Sequence, residues 1–167
     1  IAVRPSLLGE LVTTAFSQSD PDVVWTGSQL VVAWADTSNA STGPDLRYRT
    51  YDALLNATSG EQTLAATADV EGDVTLAPFE GSWAAAWRDD ANGFETIRVR
   101  EGNVDWTVGP AFLPAPDAGK LALAELDASH LLLIYAIGID PLDSGVPNAS
   151  SSLQAVVLDT SMPGSVT

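Results

Sequence analysis

The sequence predicts an all-β fold, a β-propeller segment of three four-stranded blades, and three observations carry that prediction. The stretch Gly27 to Asp36, GSQLVVAWAD, has a second copy, GSWAAAWRD, at Gly81 to Asp89 and a fainter third, ASHLLLIYA, at Ala128 to Ala136. Each copy opens on a small-residue turn, climbs through an apolar run and reaches an aromatic, as a strand buried on both faces does. Equivalent positions keep step: Trp34, Trp87 and Tyr135 lie 53 and 48 residues apart, and Gly9, Gly60 and Gly109 lie 51 and 49 apart. A unit of about 50 residues holding four short strands is the signature of a propeller blade and leaves no room for long helices.

Taken in order, residues 7–15 hold a first short strand, Gly9 to Thr14, whose Val and Thr suit a pleated surface. Ser19 to Asp22, SDPD, reads as a turn on Pro and Asp chemistry. Blade one, residues 20–66, then uses Asp22 to Trp25, the repeat strand through Trp34, Leu46 to Tyr51 and Gly60 to Ala65. Blade two, residues 70–115, uses Asp73 to Ala77, Trp83 to Trp87, Ile97 to Arg100 and Gly109 to Leu113. Blade three, residues 118–160, uses Lys120 to Leu126, His130 to Ile137 and Leu153 to Leu158, and residues 161–167 read as a tail.

Blade three thus lacks an outer strand, and the strand at residues 7–15 is displaced to latch a blade from outside. Three blades do not close a ring, since propellers use about four to eight. Two partners would complete it: a second copy of the chain, giving six blades, or a missing propeller half. An open three-blade stack and a β-sandwich are the rival architectures.

The bulk composition bounds the function. With 46% apolar residues the chain supports a hydrophobic core. The longest apolar run, around His130 to Ile137, is too short for a membrane-crossing helix, so no membrane insertion is expected. Twenty-two acidic residues against seven basic ones, net charge −15, make nucleic acid a poor partner and cations the natural counter-ions. The absence of cysteine removes disulfides, thiolate catalysis and sulfur metal ligands together.

In a propeller, the links between blades share one face with the links between second and third strands. Thirteen of the twenty-two acids fall in or beside such links, among them Asp20, Asp22, Asp36, Glu71, Asp73, Asp89 and Asp90. Their potentials would add near the central channel. The sharpest pattern there, Asp89-Asp90-Ala91-Asn92-Gly93-Phe94-Glu95, offers oxygen ligands and a Gly turn that suit calcium, with Asp89, Asp90, Asn92 and Glu95 as ligands. Ordinary turn chemistry explains the same residues. Asp36 and Asp73 are the ligand-binding acids on this face. Trp25 and Trp83, next to turns, are the aromatics placed for sugar stacking, although Trp residues repeating at one blade position also suit the core between blades. Arg47, Arg49, Arg98 and Arg100 sit at equivalent third-strand positions, where pairing with neighbouring acids is the simple reading and clamping of a carboxylate the functional one. His130 stands alone, which argues against a catalytic triad or a zinc site within this chain.

The run VVWTGSQLVVAWAD resembles the long repeats of secreted bacterial β-propeller proteins, with Trp-x-Asp closing the second strand. Blade three departs from that pattern, carrying Tyr135-Ala136-Ile137 instead. The sialidase Asp-box is absent, so the resemblance implies a fold and export, to an extracellular or periplasmic address, and no particular activity. The expectation is a non-enzymatic binding or scaffold propeller whose acidic face engages a carbohydrate or protein ligand with calcium as the candidate cofactor. A glycan-acting hydrolase using carboxylates of that face is the alternative.

Overall fold

The computed structural model describes residues 11–12, 16–38, 43–91, 94–108, 121–137, 152–162 and 164–166. These residues form twelve strands in three sheets and no helix. The first sheet orders β1 (Gln18–Trp25), β2 (Leu30–Asp36), β3 (Asp45–Tyr51) and β4 (Gln62–Ala65) as an antiparallel meander. The second repeats it with β5 (Val70–Phe79), β6 (Ser82–Ala91), β7 (Phe94–Glu101) and β8 (Val104–Val108). The third holds β9 (Ala122–Asp127), β10 (His130–Ile137) and β11 (Ser152–Asp159).

Turn chemistry fixes the registers. Glu80 and Gly81 both take positive φ, 46° and 73°, in the two-residue link between β5 and β6. That is the geometry whose twist matches an antiparallel hairpin. Between β1 and β2, Thr26 closes the turn by donating its N–H to the Gln29 carbonyl at 3.0 Å.

The three sheets stack face to face in chain order. Val24, Val31, Ala33, Ala35, Leu46 and Leu64 of the first sheet meet Val74, Leu76, Ala85 and Trp87 of the second in one buried cluster. The other face of the second sheet, with Phe79, Ala84, Ala86, Ile97, Val99 and Trp106, meets Leu131, Leu133 and Leu158 of the third. Alanine at positions 84, 85 and 86 lets the central strand bury both faces between neighbours.

The structure corrects four readings of the sequence. Ser19 to Asp22 is not a turn: it lies within β1 as an irregularity in the ladder with β2. The last strand of the second sheet is Val104–Val108, whose alternation buries Trp106 and Val108; Gly109 to Leu113 lie outside the described residues. Ser165–Val166, read as tail, form β12 and pair in parallel with β8, while the Trp106 indole N–H donates to the Met162 carbonyl at 3.3 Å. Asp89, Asp90 and Ala91 extend strand β6, with Asp90 opposite Glu95 and Asp89 opposite Thr96 on β7, so the acid-rich stretch is a hairpin with a two-residue connection. Most of the strand expected at 7–15 lies outside the described residues. Its Leu11 carbonyl accepts from the Tyr51 hydroxyl at 2.8 Å, which puts that residue on the face of the first sheet turned away from the second.

Candidate functional site

The first strands of the two sheets, β1 and β5, carry the same local distortion 53 residues apart. β1 breaks register on β2 between Ser19 and Asp22, and β5 breaks register on β6 between Gly72 and Thr75. Within these bulges Asp20 and Asp73 take left-handed backbone, φ 48° and 51°. An L-residue pays about 1–2 kcal/mol there, and Asp is one of the few types that tolerate it. Bulges of this kind re-aim side chains and concentrate beside binding sites. The third unit's counterpart, fourteen residues before Tyr135 as Asp73 is before Trp87, is Leu121.

All three equivalents line one cavity of about 260 Å³, together with Pro21, Asp22, Val74 and Thr75. Asp22 ties two sheets together at its rim. One carboxylate oxygen accepts the Val23 N–H at 2.8 Å and the other accepts the Leu76 N–H of β5 at 2.7 Å. Asp73 lies 3.4 Å from the Arg88 guanidinium, which is itself almost wholly buried. The cavity therefore has an apolar floor at Leu121 and Val74 and an acidic rim, a balance suited to a polar ligand with one apolar side. Because its φ favours glycine, Asp73→Gly is expected to be more stable than Asp73→Ala by about 1 kcal/mol, measurable by chemical denaturation.

Next to this cavity four more acids gather where the sheets end. Asp36 is opposite Asp45 across β2 and β3, and Glu71 is opposite Asp89 across β5 and β6; all four are buried. Burial alone would raise the Asp36 pKa, but hydrogen bonds led by those of Ser38, whose N–H donates at 2.7 Å, hold it below the usual carboxylate range. Asp36 thus closes a local turn. Glu71 is pushed up by burial and by the Asp89 and Asp45 charges, against the Thr67 N–H donated at 2.8 Å. Asp89 is likewise pushed up by burial, with Asp69 and Asp90 adding to it and Arg98 opposing. One oxygen each of Asp45, Glu71 and Asp89 is buried without a hydrogen-bond partner. Among the described residues, no group of three or more acids or histidines converges closely enough to hold a metal ion.

The structure distributes the residues singled out by the sequence. Asp73 lines the cavity, and Asp36 lies at the same end of its sheet, buried. Trp25 and Trp83 sit at the opposite strand ends, beside the turns into β2 and β6. Trp25 is 45% exposed, whereas Trp83 tilts against Tyr48 with ring centroids 4.9 Å apart and lines a second cavity with Thr63, Ser82 and Arg100. Acids and aromatics therefore do not form one site. Of the proposed metal ligands, Asp89 is buried, Asp90 is exposed on the strand, Glu95 stands opposite it on β7 and Asn92 lies outside the described residues.

Three of the four third-strand arginines bond within the fold: Arg47 pairs with Asp45 at 3.0 Å, Arg100 makes a two-pronged pair with Asp105 at 2.7 and 3.1 Å and stacks over Trp87 at 5.4 Å, and Arg49 donates to the Leu11 carbonyl; the charge of the fourth, Arg98, acts on Asp89. His130 contacts Asp127 at 2.8 Å. Asp20 was one acid among many in the sequence; the signal that marks it is its 14-residue offset from Trp34, the same as Asp73 from Trp87. No protein family, curated protein or solved structure matches this chain.

Proposed function

We propose that the three stacked sheets are blades of a β-propeller in an exported, non-enzymatic binding or scaffold protein. Its ligand, a carbohydrate or protein segment, enters the acidic cavity at the inner strands, and calcium assists there as a counter-ion to the surrounding carboxylates. The observation that carries this reading is the pair of left-handed aspartates, Asp20 and Asp73, at equivalent bulges on the rim of one cavity. Two units that keep the same left-handed residue at the same place beside one cavity mark it as a site. Net charge −15 favours a ligand that brings cations or sugar hydroxyls over one that brings phosphates.

The test is a glycan-array screen of wild type and Asp73→Ala, each with millimolar calcium and with chelator. The reading expects glycan capture that falls at least tenfold in the variant and weakens with chelator. Capture unaffected by Asp73→Ala would place the ligand elsewhere, and turnover of a captured glycan would move the protein to the hydrolase class. In parallel, calcium should raise the thermal midpoint, because a ligand selective for the folded state must stabilise it.

A further inference from the structure

The second cavity lies between the first two sheets and shares no lining residue with the acidic one. It takes Tyr48, Thr63 and Leu64 from β3 and β4, and Ser82, Trp83 and Arg100 from β6 and β7, around a space of about 260 Å³. Sites for drug-sized ligands begin at about 300 Å³, so this one has room for a single ring of a longer molecule. Part of its wall is aromatic. The Tyr48 and Trp83 rings lie 4.9 Å apart with 56° between their planes, which makes an angled corner instead of a closed stack. Both are half-buried against the same core cluster as Trp87, so packing fixes them while each stays partly open to the cavity.

The polar groups of this lining divide by charge. The Tyr48 and Ser82 hydroxyls and the Trp83 indole N–H have no hydrogen-bond partner among the described residues. The Thr63 hydroxyl accepts from the Arg47 guanidinium at 2.6 Å, which leaves its own hydrogen to donate. Arg100, by contrast, is engaged at all three nitrogens. Its Nε and Nη2 fork onto the Asp105 carboxylate at 2.7 and 3.1 Å, and its Nη1 donates to the Leu64 carbonyl. The fork that an outside carboxylate or phosphate would need is therefore occupied.

We propose that this cavity binds one ring of an uncharged saccharide, with a C–H face of the sugar on the Tyr48–Trp83 corner and its hydroxyls on those of Tyr48, Thr63 and Ser82. A neutral polyol matches the lining on each count: hydroxyls that both donate and accept, two aromatic rings, and no charge left unpaired. An anionic sugar would have to displace Asp105 from Arg100, and a cationic ligand would meet the guanidinium itself. Recognition here needs no metal ion. The site is separate from the acidic cavity and does not rest on what that cavity binds, so insensitivity to chelator tells the two apart.

NMR titration in the presence of chelator tests it, with glucose, galactose, mannose and N-acetylglucosamine as neutral probes and glucuronic acid as the charged comparison. The readouts are the Trp83 indole N–H and the backbone amide of Gly102, which also lines the cavity. At least one neutral probe is expected to shift both signals saturably at millimolar concentration, the range open to a small site that covers one ring. Trp83→Ala, followed at Gly102, is expected to weaken that binding about tenfold through loss of the stacked ring. Ser82→Ala, at an exposed position, should fold as wild type and weaken binding severalfold, which keeps the test readable if Trp83→Ala does not fold. Silence of the Trp83 indole towards all four neutral probes would overturn the proposal. So would unchanged affinity in Ser82→Ala, or a response to glucuronic acid alone, which would put an anion on Arg100.

Discussion

Replacing Trp87 with alanine is expected to destabilise the fold by about 3–5 kcal/mol, the cost of emptying a large buried aromatic site. Trp87 is 2% exposed, sits among Val31, Ala33, Leu46 and Leu76 where the first two sheets meet, and carries Arg100 over its ring. Its indole N–H has no hydrogen-bond partner, so the loss is one of packing and of the Arg100 contact, with no hydrogen bond broken. Trp25→Ala, at a 45% exposed site at the end of β1, is expected within about 0.5 kcal/mol of wild type. Denaturant unfolding of the two variants separates the readings: equal losses would mean that Trp87 does not fill an inter-sheet core.

The second large effect concerns pH. Glu71 and Asp89 face each other across β5 and β6, both with pKa values raised chiefly by burial. A carboxyl whose folded pKa lies above its unfolded value binds its proton more tightly in the native state. The native state is therefore favoured while these groups stay protonated, and that advantage is lost as pH rises through the folded pKa. Between the ordinary carboxylate range and neutrality, stability should fall at this seam. Asp36 works the other way: its lowered pKa contributes stability that is present above the ordinary range and lost on acidification. Glu71→Gln, which keeps an acceptor for Thr67, is expected to stabilise the protein at pH 7 by about 1–3 kcal/mol, because it removes a buried charge from beside Asp89 and Asp45. The gain should vanish at pH 4. Thermal midpoints of wild type and Glu71→Gln across that range check the sign, and a variant less stable than wild type at pH 7 would show that the Glu71 charge is compensated.

Much of this architecture was legible because the aromatic keeps step. Trp34, Trp87 and Tyr135 fixed β2, β6 and β10 to within a few residues, since a continuous apolar run between turns has few alternatives. The β8 strand is equally readable in the Val104, Trp106 and Val108 alternation, but the spacing of Gly9, Gly60 and Gly109 points to the residues after it. Asp20-Pro21-Asp22 misled for a physical reason: the residues that make turns are also those that tolerate the left-handed backbone of a bulge, so composition alone does not distinguish the two. Burial of Asp45, Glu71 and Asp89 had no local signal at all. The same holds for the cavity, whose three equivalent residues are 53 and 48 positions apart and meet only because the units stack in register.

That stacking is tested most directly by the Leu76 amide. β5 is an edge strand of its sheet, and the Leu76 N–H leaves it to bond the Asp22 carboxylate of the first sheet at 2.7 Å. Hydrogen exchange at this amide, followed by NMR, should be slow in the wild type and should accelerate at least tenfold in Asp22→Ala while amides in the centre of β6 stay protected. Fast exchange at Leu76 in the wild type would mean that the first two sheets do not meet in this register, and that the cavity between their bulges does not exist.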